Sequence, residues 1–175
     1  MPLDIDATPV HGVWFRHVPA GGEPLFRPER PADGRWQRGE AVEGFYLADS
    51  EETAWAEWYR VLAELAIPPM RQLPRDLWRF ELEVDRVADL SSAEKLKGVG
   101  LESPVPVRRQ WASFQSVGET LFAEDWAGIL YPAAARPDAH AVCLFRTSDR
   151  LAGVRPLPRP VRHDEPPAPP RGLRA

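Results

Sequence analysis

Four arginines, Arg27, Arg30, Arg35 and Arg38, share one loop with Gly34, Gly39 and Gly44. Guanidinium groups beside residues that let the backbone come close are what a phosphate-bearing ligand needs, since each offers paired donors to an anion. A solvated basic loop has the same composition. Arg16 is a cation inside the apolar run Val13-Trp14-Phe15-Arg16-His17-Val18, where an edge-strand arginine facing water accounts for it as well as a functional one does. Glu57 is a lone acid in an aromatic-rich segment, spaced with Arg60 and Glu64 as a salt-bridged helical face would be. His11, His17, His140, His163 and Cys143 have no metal-ligand spacing. No nucleophile elbow and no Walker-type loop occurs, and Gly98 with Gly100 is only a partial glycine pattern. Arginines, aromatics and a few isolated carboxylates suit an anionic aromatic ligand better than a metal or a nucleophile.

These residues need elements to hold them. A strand is expected over 13–18, ended by Pro19 and Gly21-Gly22, and then a long loop to Gly44. Loops of that length are functional or disordered, and Trp36 argues for order. Phe45-Tyr46-Leu47-Ala48 reads as a short buried strand, followed by a cap at Asp49 or Ser50 and a helix to about Ala66, stopped by Pro68-Pro69. Ala54, Trp58, Val61, Leu62 and Leu65 form its apolar stripe, and Glu57 lies at the flank. The alternation of 77–84 predicts a half-exposed strand. A short capped helix follows Asp89, and Ser113 is placed to cap a second helix over about 114–123. Residues 129–131 and 141–145 read as two buried strands. The interspersed short elements predict an α+β fold with a mixed or antiparallel sheet. Its organising stretch is 34–58, which joins basic turn, strand, cap and acid-bearing helix.

At 175 residues the chain suits one domain, with 43% hydrophobic and 27% charged residues. The expected limits are a leader over 1–11, a folded domain over 12–154 and a disordered Pro/Arg-rich tail over 155–175. A net charge of −4 gives no whole-chain nucleic-acid footprint. No apolar run approaches a membrane span, and the N-terminus lacks a signal-peptide pattern. One cysteine excludes an internal disulfide framework. The cytoplasm is the expected location.

At Gly34-Arg35-Trp36, at YLADSEETAWAE (residues 46–57) and at GILYP (128–132), the chain resembles the RES-domain family. Its members are toxins of bacterial toxin–antitoxin pairs, named for a functional Arg, Glu and Ser. The resemblance spans roughly residues 12 to 148. It implies a compact fold similar to ADP-ribosyltransferase toxins, with NAD in a cleft as substrate. It also implies phosphorolysis of NAD, with inorganic phosphate as co-substrate, or transfer of ADP-ribose to a protein. No prosthetic group or metal is expected. The implied partner is a cognate Xre-like antitoxin that combines a DNA-binding region with a segment blocking the cleft, and toxin and antitoxin can form an oligomer.

Matched residue by residue, the family's strand arginine falls on Arg16, its Gly-Arg-Trp turn on Arg35 and Trp36, its strand tyrosine on Tyr46 and its helical glutamate on Glu57. Arg16, Glu57 and Ser113 are the catalytic candidates; Arg35, Trp36 and Tyr46 are the NAD-binding ones. The chain departs from the pattern twice. Gln37 stands where asparagine is common, and Ala133 follows Pro132 where many members have serine. Ser113, close to Trp111, is the substitute, with a helix N-cap as its structural alternative. The missing serine also leaves room for a non-enzymatic NAD-binding module. In the enzymatic reading, Arg16 and Arg35 meet the two phosphates, and Trp36 and Tyr46 stack on the rings. Cleaving the nicotinamide–ribose bond passes through an oxocarbenium-like state, which the Glu57 carboxylate stabilises. Nicotinamide leaves neutral, so no strong general acid is required.

Overall fold

The computed structural model describes residues 3–147 and 151–175. Met1 and Pro2, part of the expected leader, lie outside the described residues. The elements are β1 (Ala7–Pro19), β2 (Gly44–Ala48), α1 (Glu51–Glu64), β3 (Arg75–Asp89), α2 (Ala93–Gly98), α3 (Trp111–Ala123), β4 (Gly128–Pro132), β5 (His140–Phe145) and β6 (Val154–His163). Short 3-10 turns at Pro69–Gln72 and Arg108–Gln110 precede β3 and α3. The fold is α+β. Strand order β1-β2-β5-β4-β3 closes on itself through an antiparallel β1–β3 ladder, so five strands form a barrel. The β3–β4 pairing is parallel, and the other pairings are antiparallel. Among the described residues, no helix is long and apolar enough to cross a membrane.

Two boundaries differ from expectation. β1 starts at Ala7 within the expected leader, because its first half pairs with the far end of β3, as in Ala7↔Ala88. The tail expected to be disordered from Arg155 instead supplies β6, which pairs with β3 from Leu82↔Val154 to Arg75↔His163. Pro156 stands opposite Phe80, and Pro158 and Pro160 fall where the ladder shifts register between Leu157 and Val161, with Arg159 at a φ of 30°. Prolines are tolerated in a sheet at edges and bulges, and β6 is an edge strand. Proline content thus marks β6 as an edge strand rather than as unstructured chain.

Three packed groups hold the elements. Val10, Trp14, Phe45, Phe80, Val142 and Leu144 fill the barrel. Trp36, Phe114, Leu121, Tyr131 and Phe145 pack α3 onto it. Trp55, Trp58 and Leu62 seat α1 against Leu77. Each fully buried large apolar side chain contributes about 1.5–3 kcal/mol relative to exposure. Ser50 caps α1 by accepting from Thr53 N–H at 3.2 Å, while the Asp49 carboxylate accepts from His140 N–H at 2.6 Å. Ser113 does not cap α3. The helix begins two residues earlier, at Trp111, and Ser113 is an exposed residue of its first turn.

Candidate functional site

The basic loop ends in a tight turn over residues 34–37, closed by a backbone bridge between Gly34 and Gln37. Gln115 of α3 clamps it, its amide donating to the carbonyls of Gly34 at 2.9 Å and Gln37 at 3.1 Å. Two glycines make the close approaches possible. A Cβ on Gly34 would lie 2.5 Å from the Tyr46 hydroxyl, and one on Gly118 would lie 2.0 Å from the Trp36 carbonyl oxygen. The turn is therefore fixed to both β2 and α3, and it delivers Arg35 in one direction.

Arg35 is 6% exposed. Its guanidinium donates to the Val105 carbonyl at 2.8 Å and to Gln110 Oε1 at 3.4 Å, and lies over the Phe114 ring. Arg16 projects from β1, which is flanked by β2 and β3 and is not an edge. Its Nη1 donates to the Tyr46 carbonyl at 2.9 Å, the guanidinium lies over Phe45 at 4.6 Å, and Nε is buried with no partner. Burial, with Arg146 and Arg75 nearby, pushes its pKa down to about 10, so Arg16 stays charged at neutral pH. The water-facing reading of Arg16 does not hold.

Glu57 projects from α1 with both oxygens engaged. Oε1 accepts from the Ala135 N–H at 3.0 Å, and Oε2 accepts from Arg60 Nε at 2.7 Å. Arg60 also reaches Glu64, which in turn accepts from Arg108. The ladder that helical spacing predicted is present, but it faces a cavity rather than open solvent. That cavity, about 540 Å³, is lined by Arg16, Arg35, Tyr46, Glu57 and Tyr131 together with Trp111. Burial raises the pKa of both tyrosines well above the ordinary value, so they remain neutral phenols.

Arg16, Arg35, Tyr46 and Glu57 are thus brought together. Trp36 and Ser113 are not. Trp36 is wholly buried, edge-on to Phe114 at 4.9 Å and to Tyr131 at 5.2 Å between ring centroids. It is core, and no ring face is left for a ligand. Ser113 is exposed on α3 and does not line the cavity, because α3 packs through Phe114, Gln115, Gly118 and Leu121. Ala133, in the position after Pro132, is buried, and Ala134 lines the cavity instead.

Among the lining residues not singled out as site residues from sequence are Arg60, Arg75, Arg108 and Tyr131. Tyr131 belongs to the GILYP strand, which was a usable signal. Arg75 had none, since it lies just ahead of the alternating strand pattern. Its Nε donates to His17 Nδ1 at 2.8 Å. Burial first, then Arg75 and Arg16, depress the His17 pKa to about 3, so the imidazole is neutral and stacks on Trp55. Among the described residues, Arg16, Arg35 and Arg75 have no carboxylate ion-pair partner, whereas Arg60 and Arg108 do. Uncompensated guanidinium groups inside a walled cavity create a positive potential that selects anions. No cluster of three or more metal-ligating side chains exists among the described residues.

A family model of the RES domain matches residues 9–167. No curated protein compared with the chain matches it. Among solved structures, a chain of the crystal structure of the M. tuberculosis MbcT-MbcA toxin-antitoxin complex is similar, with a TM-score of 0.75 and 21% identity. The alignment covers 90% of this chain and 86% of that one. The family match extends past Arg155 into β6, in keeping with an ordered C-terminal strand. The chain belongs to the RES domain family.

Proposed function

We propose that this protein cleaves the nicotinamide–ribose bond of NAD, with inorganic phosphate as acceptor, as the toxin of a toxin–antitoxin pair. In this reading the barrel is ADP-ribosyltransferase-like, the protein acts in the cytoplasm, and its partner is a cognate Xre-like antitoxin. Family membership and the similarity to a toxin-antitoxin complex support it. The observation that carries it is the convergence of Arg16, Arg35, Tyr46 and Glu57 on one cavity of about 540 Å³. That volume lies in the range of small-molecule and cofactor sites.

Arg16 and Arg35 meet the pyrophosphate, their charges uncompensated by protein carboxylates. Tyr46 and Tyr131 supply the aromatic wall, Tyr131 taking the place expected for Trp36. The Glu57 carboxylate is held by Ala135 N–H and Arg60, and it accepts a ribose hydroxyl and stabilises the positive charge that grows on the sugar as nicotinamide departs. Its two protein donors preorganise it, so little reorientation is needed at the transition state. Arg75, uncompensated by a carboxylate among the described residues, offers a cation for the incoming phosphate.

The test is NAD incubated with purified protein, with and without phosphate, and the products resolved by mass. Nicotinamide and a phosphorylated ADP-ribose, formed only with phosphate, are expected. Mass added to a macromolecule would replace this reading with protein ADP-ribosyl transfer. A second reading, an NAD-binding module without turnover, is favoured by the lack of any serine among the described residues that line the cavity. Tight NAD binding with no product would establish it.

A further inference from the structure

Residues 164–175 follow β6 and contain Pro166, Pro167, Pro169 and Pro170. They lie against the body of the protein. Pro166, Pro167, Pro170 and Leu173 are half-buried and most of their neighbours exposed, close to the three-residue repeat of an extended polyproline-type chain. Such a chain makes no internal hydrogen bonds, so its few backbone groups are free to bind elsewhere. His163 packs edge-on against Trp55, with ring centroids 4.8 Å apart. Tyr59, one turn further along α1, donates its hydroxyl to the Pro167 carbonyl. The segment then turns, with Gly172 at a φ of 74° and Leu173 N–H donating to the Pro170 carbonyl. Beyond the turn, Arg174 N–H donates to the Ala135 carbonyl at 2.8 Å.

Ala135 is the residue whose own N–H donates to Glu57 Oε1. Its two peptide groups, on either side of one Cα, therefore bond to the tail and to the site. The loop around it, Ala133-Ala134-Ala135, has no polar side chains of its own with which to anchor itself. It is held by backbone bonds across the loop, with Ala133 N–H donating to the Ala139 carbonyl at 2.9 Å, and by contacts from outside, such as Arg136 donating to Thr53 Oγ1 at 3.1 Å.

We propose that residues 164–174 are a positioning strap. Anchored on α1 by Tyr59, the strap fixes the Ala135 peptide and through it the orientation of the Glu57 carboxylate. This rests on the role of Glu57 proposed above. The strap touches neither cavity nor ligand, so its effect falls on turnover and not on NAD affinity.

The experiment compares the full chain with a chain ending at Pro170, which loses the Arg174 contact but keeps the Pro167 anchor, and with Tyr59→Phe. Amide exchange at Ala135 is read by NMR, and kcat and KM for NAD are measured on the same samples. In the chain ending at Pro170, faster exchange at Ala135 is expected, with kcat reduced about 3–10-fold, the equivalent of one ordinary hydrogen bond. KM for NAD should stay within about twofold, because the strap makes no ground-state contact with substrate. Unchanged exchange at Ala135, or a change confined to KM, overturns the proposal. If the shortened chain does not fold, Tyr59→Phe decides by the same two readouts. If the full chain leaves NAD intact, the functional reading fails, and Ala135 exchange alone judges the strap.

Discussion

Glu57 Oε1 accepts the backbone N–H of Ala135 at 3.0 Å, across 78 residues of chain. This bond ties α1 to the loop between β4 and β5 and turns a helix-flank acid into a cavity-wall acid. Arg60 completes the arrangement from the same helix at 2.7 Å. In the proposed reaction, a carboxylate with two fixed donors and one face on the arginine-lined cavity stabilises the cation that forms as nicotinamide departs.

Arg16 is the site's most constrained cation, with one donor on the Tyr46 carbonyl and a buried Nε that has no partner. Arg16→Gln keeps a polar side chain and removes the charge. The KM for NAD should rise about 10–100-fold, since a charge-assisted hydrogen bond contributes about 1.5–3 kcal/mol. Steady-state kinetics with NAD as the varied substrate check this, and an unchanged KM would remove Arg16 from the binding site.

Trp36 belongs to the core. Trp36→Ala should lower unfolding stability by about 3–5 kcal/mol, as loss of a buried large aromatic does. Denaturant titration reads this directly. Intact stability combined with weakened NAD binding would return Trp36 to the ligand.

Ser113 is exposed on α3 and away from the cavity. Ser113→Ala should leave turnover of NAD within about twofold of the parent, the scale of an uninvolved surface substitution. A loss of two orders of magnitude in kcat would contradict the placement.

His17 provides a pH signature. Its pKa falls from 6.5 to about 3 on folding, chiefly through burial. Between these values the unfolded chain binds a proton that the folded chain does not. Its contribution to stability is therefore complete above pH 6.5 and is lost progressively as pH falls toward 3. Thermal unfolding across that window should show a slope that His17→Gln reduces, and equal slopes in the two proteins would refute the assignment.

Much of this is legible in the sequence. A cap at Asp49 or Ser50, of which Ser50 is the one used, the run 45–48 and the stripe positions Ala54, Trp58 and Leu62 follow from local rules of capping and periodicity, whereas Val61 and Leu65 of the same expected stripe are exposed. Arg16, Arg35, Tyr46 and Glu57 came from motif resemblance, because their convergence depends on barrel closure, which no local pattern encodes. The direction of Trp36 was missed because a loop tryptophan reads as available for stacking, whereas α3 and Tyr131 enclose it. β6 was hidden by its prolines, which argue against a central strand but not against an edge. Arg75 and Arg108 reach the cavity through tertiary placement alone.

In the proposed reaction Glu57 promotes cleavage of the nicotinamide–ribose bond in this cavity. The most direct measurement is nicotinamide release from NAD, in phosphate buffer, by the parent protein and by Glu57→Gln, with NAD affinity measured in parallel. Steady release by the parent is expected, with a loss of at least about a hundredfold in the variant, on the order of removing a transition-state electrostatic group, and little change in affinity. Full release by Glu57→Gln would contradict that role.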